Sequence, residues 1–166
     1  MIICSTQLQF VLILMLGSYL YGLNITFPGI ALDGIQDEFK TLEIDEFKRK
    51  AFTVGPSLTS AIGSFICLLL LQKIRHKIIL SVSSFLLSIL WFLLVITNEK
   101  NFWVAIVLEN LQGLIIGGFL VIIPVYMVEL SPPKLRNLHG FLHQTGQSIG
   151  NITCSVINAF ASWKTF

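Results

Sequence analysis

The sequence predicts an all-α, polytopic membrane protein, and three of its features carry that prediction. Hydrophobic residue types make up 54% of the 166 residues and charged types only 12%, with a mean hydropathy of +0.80. A water-soluble domain carries about 25% charged residues. The few charges are segregated: 1–32, 51–71 and 78–98 hold none, 137–163 lack Lys, Arg, Asp and Glu, and only Glu109 interrupts 101–128. A helix needs about 20 apolar residues to cross a hydrocarbon layer about 30 Å thick, and five segments meet that length. A water-soluble fold of this size could not bury five such helices, since each would need neighbours on every side.

The elements follow in order. The first span is expected over about 7–31, with Gly17, Gly22 and Pro28 marking close packing and a bend near its far end. Residues 33–50, dense in charges of both signs, read as a solvated loop with room for a short amphipathic helix. The second span covers about 51–71, and the short basic turn QKIRHK follows at 72–77. The third covers about 78–97, and the four-residue NEKN turn makes it an antiparallel hairpin with the fourth, about 102–129. Pro132 and Pro133 prevent LSPPKLRN from continuing that helix. The fifth span covers about 138–161.

Charge does not decide the orientation. Lys73, Arg75, Lys77, Lys134 and Arg136 lie on one side, against Lys40, Lys48, Arg49, Lys50, Lys100 and Lys164 on the other. The positive-inside rule counts basic residues, and here the two sides nearly balance. The net charge of +2 has no single patch behind it, so a nucleic-acid partner is not expected. Cys4, Cys67 and Cys154 fit no metal spacing and read as small packing residues. His139 and His143, four apart, are a weak metal signal and read as packing or interface residues. No nucleophile triad or phosphate loop appears, so neither an enzyme nor a cofactor or metal site is expected. The sequons Asn24-Ile-Thr26 and Asn151-Ile-Thr153 fall inside spans, where a glycosyltransferase should not reach them.

The most informative stretch is 124–150, PVYMVELSPPKLRNLHGFLHQTGQSIG. Pro124, Tyr126, Glu129, Ser131-Pro132 and Arg136 are followed by Gln144 and Gly150. The stretch resembles the sugar-porter branch of the major facilitator superfamily, near the facilitative hexose transporters, in which P-x-Y-x-x-E-x-S-P-x-x-x-R-G leads into Q-x-x-x-x-x-G. Asn137 departs from the Gly of that block. LGSYLYGLN at 16–24 resembles the family's first-helix signature. ENLQGLIIG at 109–117 resembles its R-x-x-x-G-x-x-x-G, with Glu109 in place of Arg and with Gly113 and Gly117 retained. QKIRHK is a degraded form of the family's turn, with Arg75 in place of its Gly and His76-Lys77 in place of an Arg pair. The resemblance covers about 16–160 and implies the amino-terminal part of a facilitator-type fold. It further implies that the turns at 72–77 and 130–137 face the cytosol. There Glu129, Arg136, Arg75 and Lys77 would form a charge cluster gating the carrier; the alternative is solvated loop charges worth about 0–1 kcal/mol each.

Candidate ligand contacts follow from placement and resemblance together. Gln144, Ser148, Asn151 and Ser155 share one face of the fifth span. Such a stripe is costly in hydrocarbon unless it meets water, a ligand or another helix, and amides both donate to and accept from sugar hydroxyls. In similar carriers the Gln at position 144 bonds the sugar. Asn24 stands where proton-coupled relatives carry Asp, and an amide carries no titrating proton, which favours passive transport. For all of these, structural packing is the alternative. Glu109, on the face of Gly113 and Gly117, should be protonated, paired or turned to a water-filled cavity. One reading has it make transport sensitive to pH, and the other has it reach water near the interface.

The reading is therefore a carrier for a monosaccharide or polyol, placed in the plasma membrane in preference to an internal one. Its partners are the sugar, the lipid bilayer, and a second transporter half or further C-terminal helices. Residues 1–166 alone are expected not to transport, as a fragment, a truncated product or a half that pairs with another chain. The alternative is a degenerate, non-transporting paralogue that senses sugar or partners a full-length carrier.

Overall fold

In this computed structural model of the chain, residues 2–38, 45–97 and 102–160 are described, with side chains for 9–32, 45–97 and 102–157. The described residues form six helices: α1 (Ile2–Glu38), α2 (Glu46–Thr53), α3 (Gly55–Leu71), α4 (His76–Ile96), α5 (Phe102–Leu130) and α6 (Arg136–Phe160). α1 continues through residues 33–38, which the charge density had marked as loop. The short amphipathic helix is α2, where Lys50 Nζ lies 2.6 Å from Glu46 across one turn. Val54 separates α2 from α3 with near-helical backbone angles, and Pro56 sits in the first turn of α3, where a missing N–H costs nothing. The two therefore continue as one span, Glu46–Leu71. The NEKN turn lies outside the described residues.

Four stretches are long and apolar enough to cross a membrane: Gln9–Leu32, Glu46–Leu71, His76–Ile96 and Phe102–Leu130. α6 has the length, 25 residues, but not the hydropathy. Its packing supplies what its composition does not. Ser18 bonds His143 and Thr26 bonds Asn151, so numbers rise together and α6 runs parallel to α1, at the same depth. α3 and α5 are likewise parallel: Ser64 Oγ donates to the Gly117 carbonyl at 2.8 Å and Cys67 Sγ to that of Gly118 at 3.5 Å. α1 and α5 are antiparallel, with Gly17 beside Ile123 and Asn24 beside Gln112. Each parallel pair leaves an odd number of crossings between its members, as a chain threading the bilayer five times requires.

The parallel pairs are fastened at glycines. A Cβ on Gly117 would strike the Ser60 carbonyl, and one on Gly63 that of Leu114. On the other seam, a Cβ on Gly150 would strike the Tyr19 carbonyl, and one on Gly22 that of Gln147. Backbones this close permit the dense van der Waals contact that holds helices together in lipid. The core sits between α1 and α5, where Leu14, Tyr21, Ile116, Phe119, Ile123 and Met127 are buried. A second cluster joins Phe27, Ala31, Phe52, Ala105, Ile106 and Cys154. α4 stands apart: only 6% of its most apolar window is buried, and Phe85, Phe92 and Val95 project outward. In water that surface would be intolerable, and in hydrocarbon it is the ordinary outer face of a span.

Gly117→Ala is expected to lower stability by about 1–3 kcal/mol through backbone overpacking. Gly118→Ala, whose Cβ would sit 3.6 Å from Cys67, should change it by less than about 0.5 kcal/mol. Unfolding midpoints in detergent compare the two, and equal midpoints would refute the seam.

Candidate functional site

Two groups of polar residues on the helices are candidates for a site. The first lies in the interior between α1 and α5. Asn24, 2% exposed, donates from Nδ2 to Gln112 Oε1 at 2.7 Å. Pro28 lacks the amide hydrogen that would otherwise close on the Asn24 carbonyl, so α1 is weakened at this level. Glu109, one turn before Gln112 on α5, is fully buried. Among the described residues, neither of its carboxyl oxygens nor the Gln112 Nε2 has a hydrogen-bond partner. The rim carboxylate reaching water is thus replaced by a carboxyl group in the packed interior. A narrow recess between α1, α3 and α5, lined by Tyr21, Asn24, Pro28, Ser57, Ser60 and Gly113, has room on the scale of a water molecule.

The second lies on α6. Gln144, Ser148 and Ser155 are exposed on the face turned away from α1. The Ser148 hydroxyl donates to the Gln144 carbonyl and that of Ser155 to the Asn151 carbonyl, both at 3.0 Å. These internal bonds let the hydroxyls sit on a helix without a partner, while the Gln144 amide stays available. Asn151 is half-buried at the edge of the stripe, accepting from Thr26 at 3.1 Å. The opposite face of α6 is buried against α1 through His143, whose Nδ1 lies 2.8 Å from Ser18 Oγ, and through Gly146 and Gly150. Asn24 and Asn151 are both engaged between helices, which is a packing role for the two sequons.

At the ends of α4 and α5 the expected charge cluster takes another form. His76 stacks on Tyr126, with ring centroids 5.5 Å apart and planes 5° from parallel, and its Nε2 lies 3.9 Å from Glu129. Arg75, Lys77 and Arg136 are exposed, and among the described residues none forms an ion pair with Glu129. Pro124 lies within α5, and Pro132 follows its end, where Ser131 caps the Met127 carbonyl and meets His139. No group of three His, Cys, Asp or Glu able to hold a metal occurs among the described residues.

Gln112, His76 and Ser18 were missed in reading the sequence. An amide one turn from Glu109 in an apolar span was itself a signal, because buried polar groups seek one another. The pairing of Ser18 with His143 spans 125 residues and leaves no local trace.

Apolar spans in parallel, glycine-fastened pairs, with an apolar outer surface and buried amides between them, define a multi-pass membrane protein. Comparison with known proteins agrees. The family described as sugar (and other) transporter matches residues 10–164. The chain belongs to that family. A curated relative, sugar transporter ERD6-like 17 of Arabidopsis thaliana, is 28% identical over 153 residues, covering 90% of this chain and 30% of the relative. The chain thus spans under a third of that protein's length. No solved structure matches.

Replacing Asn24 or Gln112 alone by Leu is expected to cost about 1–3 kcal/mol, since each leaves a buried amide unpaired. The double replacement should cost less than the two singles added, by roughly 0.5–3 kcal/mol. A double-mutant cycle on detergent unfolding measures this, and strict additivity would show that the pair is not coupled.

Proposed function

We propose that the protein is part of a membrane carrier that moves a monosaccharide or polyol by alternating access. The observation that carries this is the open face of α6, where Gln144, Ser148 and Ser155 present an amide and hydroxyls on the side no described helix covers. Sugars need both donors and acceptors, and a primary amide offers both. Membership of the sugar (and other) transporter family supports the same reading. It also supports binding and movement in place of covalent chemistry.

In this proposal a second transporter half or further helices meet the α6 face, and the solute passes between the two surfaces. Glu129 and His76, with Arg75, Lys77 and Arg136 around them, form the gate at that end. Opening slides α4 against α5, which breaks the His76–Tyr126 stack. The plasma membrane is the proposed location.

A second reading, a non-transporting sugar sensor, draws on one observation: Glu129 contacts His76 and none of the three neighbouring basic residues, so its gate would be weaker. Tracer flux in liposomes that hold the chain together with its second half or further helices separates the two. Flux supports the carrier, and saturable binding without flux supports the sensor.

Gln144→Ala is expected to weaken sugar binding about tenfold, the worth of a hydrogen bond of about 1.4 kcal/mol, without lowering the unfolding midpoint. Unchanged binding with a lower midpoint would make Gln144 a packing residue.

A further inference from the structure

Glu109 is the residue the carrier reading does not use, and its surroundings are unusual. It is fully buried on α5, and both carboxyl oxygens lack any hydrogen-bond partner among the described residues. Among the described residues nothing would replace the hydration of a carboxylate so placed, and such a group takes up a proton or finds a cation. Among the described residues, the elements packed on α5 bring no hydrogen-bonding cation to it. α1 contributes Tyr21 as its buried titratable side chain, and α3 contributes Cys67. α6 contributes Cys154, His143 and His139, with His143 bonded to Ser18 and His139 to Ser131. α4 carries His76 and Lys77 at the opposite end of α5, beside Tyr126 and Glu129. α2 carries Glu46, Lys48, Arg49 and Lys50, with Lys48 over the Trp103 ring and Lys50 paired to Glu46. None of these is bonded to Glu109.

The orphaned atoms attract one another more strongly in one protonation state than in the other. Gln112 lies three residues from Glu109 on the same helix, so their side chains are neighbours. Its Oε1 is held by Asn24, which leaves Nε2 as a donor without an acceptor. A carboxylate at Glu109 would draw that donor strongly, and a carboxylic acid, whose carbonyl oxygen is the weaker acceptor, would draw it less.

We propose that Glu109 is a proton-binding site: it holds a proton in the packed arrangement of α1, α5 and α6 and releases it when that arrangement opens to water. Opening is thereby linked to the proton concentration. The site stands independently of the solute. Only its use, a proton moving in step with the transport cycle, rests on the carrier reading.

Cys154 is a built-in reporter. It is fully buried in the cluster with Phe27, Ala105 and Ile106, beside Glu109's turn of α5. The full chain and its Glu109→Gln variant, both in lipid nanodiscs, are compared in two ways. Infrared spectra with carboxyl-labelled glutamate are expected to show a protonated carboxyl band, slow to exchange in heavy water, in the wild type and not in the variant. Glu46 and Glu129 are open to water and exchange at once. Maleimide labelling of Cys154, read by mass spectrometry as the ratio of wild type to variant, is expected to rise about tenfold from neutral to alkaline pH. The ratio cancels the thiol's own pH dependence. If the variant does not fold, the labelled wild type decides alone. An ionised Glu109 at neutral pH, or a labelling ratio flat across pH, overturns the proposal and leaves the carrier reading standing. Failure of sugar binding and flux by the chain together with its second half or further helices overturns the carrier reading and leaves the proton site standing.

Discussion

Lipid tails are as apolar as leucine, so helices in a bilayer gain little from hiding apolar surface against one another. Attraction must come from contact density, and here it is concentrated where main chains touch. Gly63 and Gly117 bring α3 against α5, and Gly22 and Gly150 bring α1 against α6. The remaining arrangement depends on these two seams. They set the register that lets Ser64 reach the Gly117 carbonyl and Thr26 reach Asn151. They also bring Asn24 to the depth of Gln112, since α1 and α5 carry one seam each into the central contact. α4 has no such seam and rests on α5 with most of its surface outward.

Much of this was legible in the chain itself. Charge-free runs marked the spans, because a charge in hydrocarbon is costly and apolar length is a direct requirement of crossing. The prolines at 132 and 133 ended α5 as expected, and the amphipathic piece before the second span is α2. The extension of α1 through residues 33–38 was not legible, because charged residues are good helix formers and density of charge alone does not separate helix from loop. α6 shows the converse. Its polar residues lower its hydropathy below that of an ordinary span, yet they serve the two faces it presents, one to α1 and one away from it.

The placement of the candidate residues was legible in kind more than in detail. Spacing placed Gln144, Ser148 and Ser155 on one face, and they share it. Spacing also placed Asn151 there, and the structure turns it partly toward Thr26, because a stripe spread over eleven residues drifts around the helix. Glu109 was conspicuous as a lone charge, but its depth depends on the helices that pack on α5. His76 was read as a degraded arginine, whereas the ring does what a guanidinium also does, lying flat on Tyr126 beside a carboxylate.

The partnership of α1 with α6 has a consequence for how the protein is made. Ser18 and His143, and Thr26 and Asn151, are each separated by 125 residues, so the ribosome finishes three intervening spans before the mate of α1 exists. Throughout that interval the first span must wait in or beside the insertion channel with its hydroxyls bonded only to its own carbonyls and its backbone groove at Gly22 unfilled. Assembly therefore cannot proceed as a simple queue of finished hairpins. The opening segment has to be held in custody until the last one arrives.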